Sequence, residues 1–144
     1  MSRSFRTLNE LLQGNPFTLV DVGAAGGVHK RWRNLGGLLR VVGFEPDDQA
    51  FRKLHATERE LWFNVALSSR RERRALHITK AQTNTSFLAP NQQLLRQLQW
   101  SPGEPVTDHD IVRDVDVECE ALDAVLKKEK IRADFLKLDT QGSE

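Results

Sequence analysis

Thr18-Leu-Val-Asp21-Val-Gly23-Ala-Ala-Gly-Gly27 decides the fold. The apolar run that starts at Phe17 and ends at Val22 has no polar alternation apart from Thr18 and Asp21, the pattern of a parallel strand covered on both faces. It runs into an acid and then into glycines, which let the backbone turn tightly and approach a ligand. Two further stretches repeat the logic of a strand ending at an acid. One is Gly43-Phe-Glu45-Pro46-Asp47, and the other is Asp134-Phe-Leu-Lys-Leu-Asp139-Thr-Gln-Gly-Ser-Glu144. Strand ends of this kind predict a crevice at the carboxyl edge of a parallel sheet.

Working outward, Leu8, Leu11 and Leu12 give a short helical stripe that Gly14-Asn-Pro16 stops. Val28, Trp32 and Leu35 follow at helical spacing up to Gly36-Gly37. Residues 38–44 form a second buried strand, and Pro46 suits the first turn of a helix extending to about Glu60. Residues 61–67 read as a third strand. Beyond Ser68 the pattern changes: Leu76 and Ile78, and later Val115, Val117 and Cys119, alternate with polar residues. Such strands have one wet face, and they are expected as an antiparallel or edge pair before the last strand. A polar loop at 82–86, a short helix around Leu94, Leu95 and Leu98, and a loop with Pro102, Gly103 and Pro105 lie between them. Leu122, Val125 and Leu126 mark a helix that delivers the chain to residues 134–144. The expected architecture is therefore α/β, with a mostly parallel central sheet flanked by helices, in a single domain spanning 1–144. The strand entering Asp139 raises the further expectation that the domain continues past Glu144, with C-terminal strands missing and an apolar edge open to a partner chain or homo-oligomer.

Composition narrows the function classes. The 144 residues are enough for one core, and 28% charged with 39% hydrophobic is ordinary for a soluble protein. A net charge of +1 gives no field to attract nucleic acid. Arg70-Arg-Glu-Arg-Arg74 reads as a solvated turn, with contact to an anionic partner as the weaker alternative. Cys119 is the only cysteine, which excludes an intrachain disulfide and a multi-cysteine metal site. No apolar run reaches membrane-spanning length and Met1 opens no apolar signal segment, so a cytoplasmic location is expected.

The glycines do not keep the G-x-G-x-x-G register of a dinucleotide site, because Ala25 and Val28 stand where glycines are required. Asp21 can pair with a cationic amine. Glu45 follows roughly 20 residues on, where a carboxylate takes the hydroxyls of a ribose. An amine and a ribose describe S-adenosylmethionine better than NAD.

Together Val20-Asp-Val-Gly-Ala-Ala-Gly-Gly27, Gly43-Phe-Glu-Pro-Asp47, Asn64-Val-Ala-Leu-Ser68, Leu122-Asp123 and residues 135–144 resemble the FkbM family of methyltransferases, from about residue 17 to the end. The resemblance implies a Rossmann-like class I methyltransferase fold, S-adenosylmethionine as cofactor, and O-methylation of a hydroxyl on a glycan or secondary metabolite. It implies that Asp21, Gly23, Ala25 and Gly27 line the methionine portion, and that Glu45 holds the ribose. Pro46, Asp47, Asn64, Val65 and Ala66 then flank the adenosine, while Asp139 faces the methyl group or the acceptor. Ala25 departs from the family, which commonly has Asn there. Asp139 is the first candidate base, with a cofactor-orienting or loop-bracing carboxylate as the alternative. Ser86 and Lys137 are candidate substrate contacts. A non-catalytic S-adenosylmethionine-binding module and an NAD(P)-binding oxidoreductase are the rival readings.

The remaining chemistry-bearing residues favour plain roles. His29 reads as a surface residue at a helix start, and His55 and His77 as residues on wet faces. Asp108-His-Asp110 lacks the spaced partners of a metal site, so no metal is expected. Trp62 is the first choice for the core, and Trp100 is a candidate for an acceptor cleft.

Overall fold

The computed structural model describes residues 10–12 and 15–143. The expected stripe at Leu8, the stop at Gly14 and the terminal Glu144 lie outside the described residues. In chain order the elements are β1 (Phe17–Val22), α1 (Lys30–Arg33), β2 (Leu39–Phe44), α2 (Asp48–Phe51), β3 (Glu60–Phe63), β4 (Ala66–Leu67) and β5 (Glu72–Thr79). They continue with α3 (Gln92–Leu95), β6 (Gln99–Ser101), β7 (Glu104–Pro105), β8 (Ile111–Glu120), α4 (Leu122–Lys128) and β9 (Phe135–Leu138).

The central sheet is parallel, in the order β3-β2-β1-β9. Its side chains alternate between two apolar layers, as strand geometry requires. Val20, Val22, Val42 and Phe44 point to one face, where Val125 of α4 and Ile131 cover them. Leu19, Leu39 and Val41 point to the other, covered by Val28, Trp32 and Leu35. Burial of a side chain such as Phe44 contributes about 1.5–3 kcal/mol. Gly43 in β2 has a packing reason, because a Cβ there would overlap the Trp62 ring on neighbouring β3. Trp62 is half-buried against the second of these layers, and its indole N–H donates to the His55 carbonyl at 3.1 Å.

A second sheet, ordered β4-β8-β5, packs its own cluster of Ala66, Leu76, Ile78, Val117 and Cys119. The β5–β8 pair is antiparallel and β4–β8 is parallel. Asp116 and Glu118 face solvent on β8 while Val117 and Cys119 are buried, the alternation of a strand with one wet face.

Four local readings change. Residues 61–67 are two strands in two sheets. The Asn64 amide donates to the carbonyls of Glu45 and Pro46, at 2.9 and 3.3 Å, where the chain leaves the central sheet. The helix after Pro46 stops at Phe51, and a turn in which Thr57 Oγ1 accepts from the Arg59 N–H replaces its expected second half. The segment with Pro102 and Gly103 is the turn of a small β6–β7 hairpin, with Gly103 at φ 86°. The basic run at 70–74 is not a turn throughout: its last three residues open β5.

Strand β9 pairs with β1 along one edge, and Phe135, Leu136 and Leu138 are each close to half exposed. Among the described residues no helix is long and apolar enough to cross a membrane.

Candidate functional site

Because β2 and β9 lie on opposite sides of β1, the strand order reverses beyond the end of β1, where open α/β sheets bind ligands. A cavity of about 960 Å³ opens there. The central sheet supplies one wall through Asp21, Gly23, Glu45, Pro46 and Asp139, and the second sheet supplies the other through Ala66, Arg74 and Leu76, with Ser86 of the following loop bridged to β5 at His77. Ala25, Gly27, Asp47, Val65 and Lys137 also line it. Asn64 does not; its amide instead ties the end of β3 to the Glu45–Pro46 backbone.

The glycine turn is built by close approach. The N–H groups of Gly23 and Ala24 both donate to the Phe44 carbonyl, at 3.2 and 3.1 Å, locking the end of β1 against that of β2. Gly23 has φ 75°, and a Cβ on it would overlap the Asp139 backbone carbonyl. Gly26, at φ 80°, has open space around it. Gly23→Ala should therefore cost about 2–3 kcal/mol, and Gly26→Ala only about 1 kcal/mol for its positive φ. Urea denaturation of the two variants measures the difference, and equal losses would show that Gly23 and Asp139 are not in contact.

Asp21 is buried, with 3% of its side chain exposed, and the Lys137 ammonium lies 2.9 Å from its Oδ1. The two residues are register partners on β1 and β9. Burial raises the Asp21 pKa, and the ammonium opposes that rise. Lys137 also donates to the Gly23 carbonyl at 3.0 Å, so it braces the glycine turn as well as the acid.

Glu45 is 5% exposed, and burial pushes its pKa up to about 7, against the stabilising Asp47 N–H on Oε1 at 2.9 Å. A folded-state pKa above the unfolded value of 4.5 means that ionisation opposes folding. Any stability tied to the protonated form is full below about 4.5 and lost as the pH rises through about 7. Glu45→Gln keeps an oxygen for the Asp47 N–H and removes the charge. It should stabilise the protein by about 1–3 kcal/mol at pH 8 and by almost nothing at pH 4.5. Thermal unfolding at the two pH values reads this, and a gain independent of pH would contradict it.

Asp47 faces the cavity, but its carboxylate is engaged. It caps α2 through the Gln49 N–H at 3.2 Å, pairs with Arg113 of β8, and accepts from Gln82 Nε2 at 3.4 Å. The Glu45 end of the cavity is thus tied to the second sheet. Ser86 makes a matching tie on the far side: it is buried, donates to the Gln141 carbonyl at 2.8 Å, and accepts from the Leu88 N–H. Asp139 is 56% exposed. Gln141 Nε2 donates to its Oδ1 at 3.1 Å, and Lys137 Nζ lies 3.6 Å from its Oδ2. The burial that a base role calls for is not present at Asp139.

His29 caps α1, accepting from the Arg31 N–H, and lies at the cavity rim. Trp100 is 66% exposed on the hairpin and does not line the cavity. Arg74, Gln82 and Arg113 were not singled out from the sequence, because their part in the site depends on how β5, β8 and the 82–84 turn meet the central sheet. Among the described residues no cluster of His, Cys, Asp and Glu is arranged to hold a metal ion.

No curated protein and no solved structure gives a significant match to the chain. The family model described as the methyltransferase FkbM domain matches residues 21–144, which include every cavity residue discussed above. The chain belongs to the FkbM methyltransferase family.

Proposed function

We propose that this chain is an S-adenosylmethionine-dependent methyltransferase of class I fold that methylates a hydroxyl of a glycan or secondary metabolite. The observation that carries the reading is the placement of two buried carboxylates, Asp21 and Glu45, at adjacent strand ends flanking the Gly23 turn in one cavity. That donor set fits the cofactor. Glu45 uses Oε1 for the Asp47 N–H, which leaves Oε2 to accept from ribose hydroxyls. Asp21, held by Lys137, supplies negative charge for an amine, and Gly23 and Gly27 keep that wall free of side chains. Pro46, Val65 and Ala66 give apolar surface for a base ring.

Bound there, S-adenosylmethionine supplies an electrophilic methyl group on a sulfonium. The protein's task is then alignment and exclusion of water, which account for much of the rate of such a displacement. Asp139 stands at the cavity edge, oriented by Gln141, and its exposure suits it to hold and orient the acceptor hydroxyl by hydrogen bonding rather than to act as a strong base. Ser86 positions the same loop through Gln141. Calorimetric titration with S-adenosylmethionine and, in parallel, with NAD and NADP tests the reading. Saturable binding of S-adenosylmethionine alone is expected, and preference for a dinucleotide would overturn it.

A further inference from the structure

We propose that the second-sheet wall of the cavity binds an anionic group of the acceptor, a carboxylate or a phosphate, through Arg74. This rests on the methyltransferase reading only in taking the bound anion to be part of the acceptor.

The basic run divides along β5. Arg70, Arg71 and Arg73 each lie within ion-pairing distance of a carboxylate: Glu72 for Arg70, Glu120 for Arg71, and Asp116 and Glu118 for Arg73. Arg74 has no carboxylate within that distance among the described residues. Strand alternation puts it on the face of Leu76 and Ile78, and it lines the cavity with Ser68, Ser69 and Thr83. Glu72, two residues earlier on the same face, is already committed. Its Oε1 takes the Ser68 hydroxyl at 2.6 Å and its Oε2 takes Arg70 Nε at 3.1 Å.

The guanidinium of Arg74 lies over the Phe87 ring, 4.2 Å from its centroid, and Phe87 packs against the second core. This cation–π contact holds the guanidinium at the cavity wall, and its fork of N–H donors suits bidentate recognition of a carboxylate or phosphate. Glu72 acts on the charge of Arg74 from beyond ion-pairing distance, so the half-buried guanidinium has no contacting carboxylate and an anionic ligand in the cavity would supply one. The acids of the opposite wall are balanced internally, Asp21 by Lys137 and Asp47 by Arg113. Arg74 is thus a cation on which an incoming anion can settle without displacing an existing ion pair; Arg31, exposed on α1, also lines the cavity but is not held over a ring.

The test uses inorganic phosphate and benzoate as probes at constant ionic strength, following arginine Nε–H resonances by NMR, with the Arg74 signal assigned from Arg74→Lys. Saturable shifts of that signal are expected at millimolar concentrations, with at least about tenfold weaker binding of the same probe in Arg74→Gln. Arg73→Gln, which removes an equal charge from the opposite face of β5, outside the cavity lining, should bind as the wild type does. No saturation of the Arg74 signal by either probe overturns the proposal, as does equal weakening in Arg73→Gln. Should Arg74→Gln fail to fold, the wild-type Arg74 signal alone decides. Arg74-dependent anion binding without S-adenosylmethionine binding would sink the methyltransferase reading and leave the anion site standing.

Discussion

Lys137→Met should lose about 3–4 kcal/mol of folding free energy at pH 8, because removing one member of a buried ion pair strands the other. Methionine keeps most of the lysine's apolar length, so the loss isolates the charge. Asp21 has 3% of its side chain exposed, and Lys137 is the cation beside it at 2.9 Å. Burial already raises the Asp21 pKa while Lys137 restrains it, so losing the ammonium lets it climb further. For a group raised in the folded state, the penalty of ionisation grows with pH and fades as the pH falls and the carboxyl takes up its proton. The deficit should therefore shrink between pH 8 and pH 5, and Asp21→Asn combined with Lys137→Met should recover most of it. Urea denaturation of the wild type and the two variants at both pH values measures this. A deficit unchanged by pH, or no recovery in the double variant, would show that Lys137 acts by packing alone.

The sequence announced β1 and β2 because both are buried on both faces and run into an acid or glycine. Phe17–Val22 and the strand ending at Phe44 could be read nearly to the residue for that reason. The break between Phe63 and Ala66 could not. Leu61 to Leu67 is apolar except for Asn64, and only the reach of the Asn64 amide to the Glu45 and Pro46 carbonyls shows where the chain changes sheets. In the candidate site, Asp21, Gly23, Glu45 and Asp139 were legible because each falls at a strand end. Lys137 was legible as a site residue, but its pairing with Asp21 depends on the β1–β9 register, which no local pattern encodes. Asp47 read as a ligand contact, whereas its cap on α2 and its pair with Arg113 are tertiary facts. Arg74 was hidden inside a charge run. Distinguishing it from Arg73 required knowing which face of β5 turns inward.

We propose that Glu45, buried at the end of β2 and facing the cavity, receives the ribose of S-adenosylmethionine. The measurement that tests it most directly is isothermal titration of the wild type and of Glu45→Ala with S-adenosylmethionine at pH 8, where a group with a pKa of about 7 is ionised. Hydrogen bonds to a charged acceptor contribute about 1.5–3 kcal/mol each, so loss of two should weaken binding by roughly a hundredfold or more. Saturable binding by the wild type with such a loss in the variant is the predicted result. Equal affinity in the two proteins, or no binding by a folded wild type, would contradict the account.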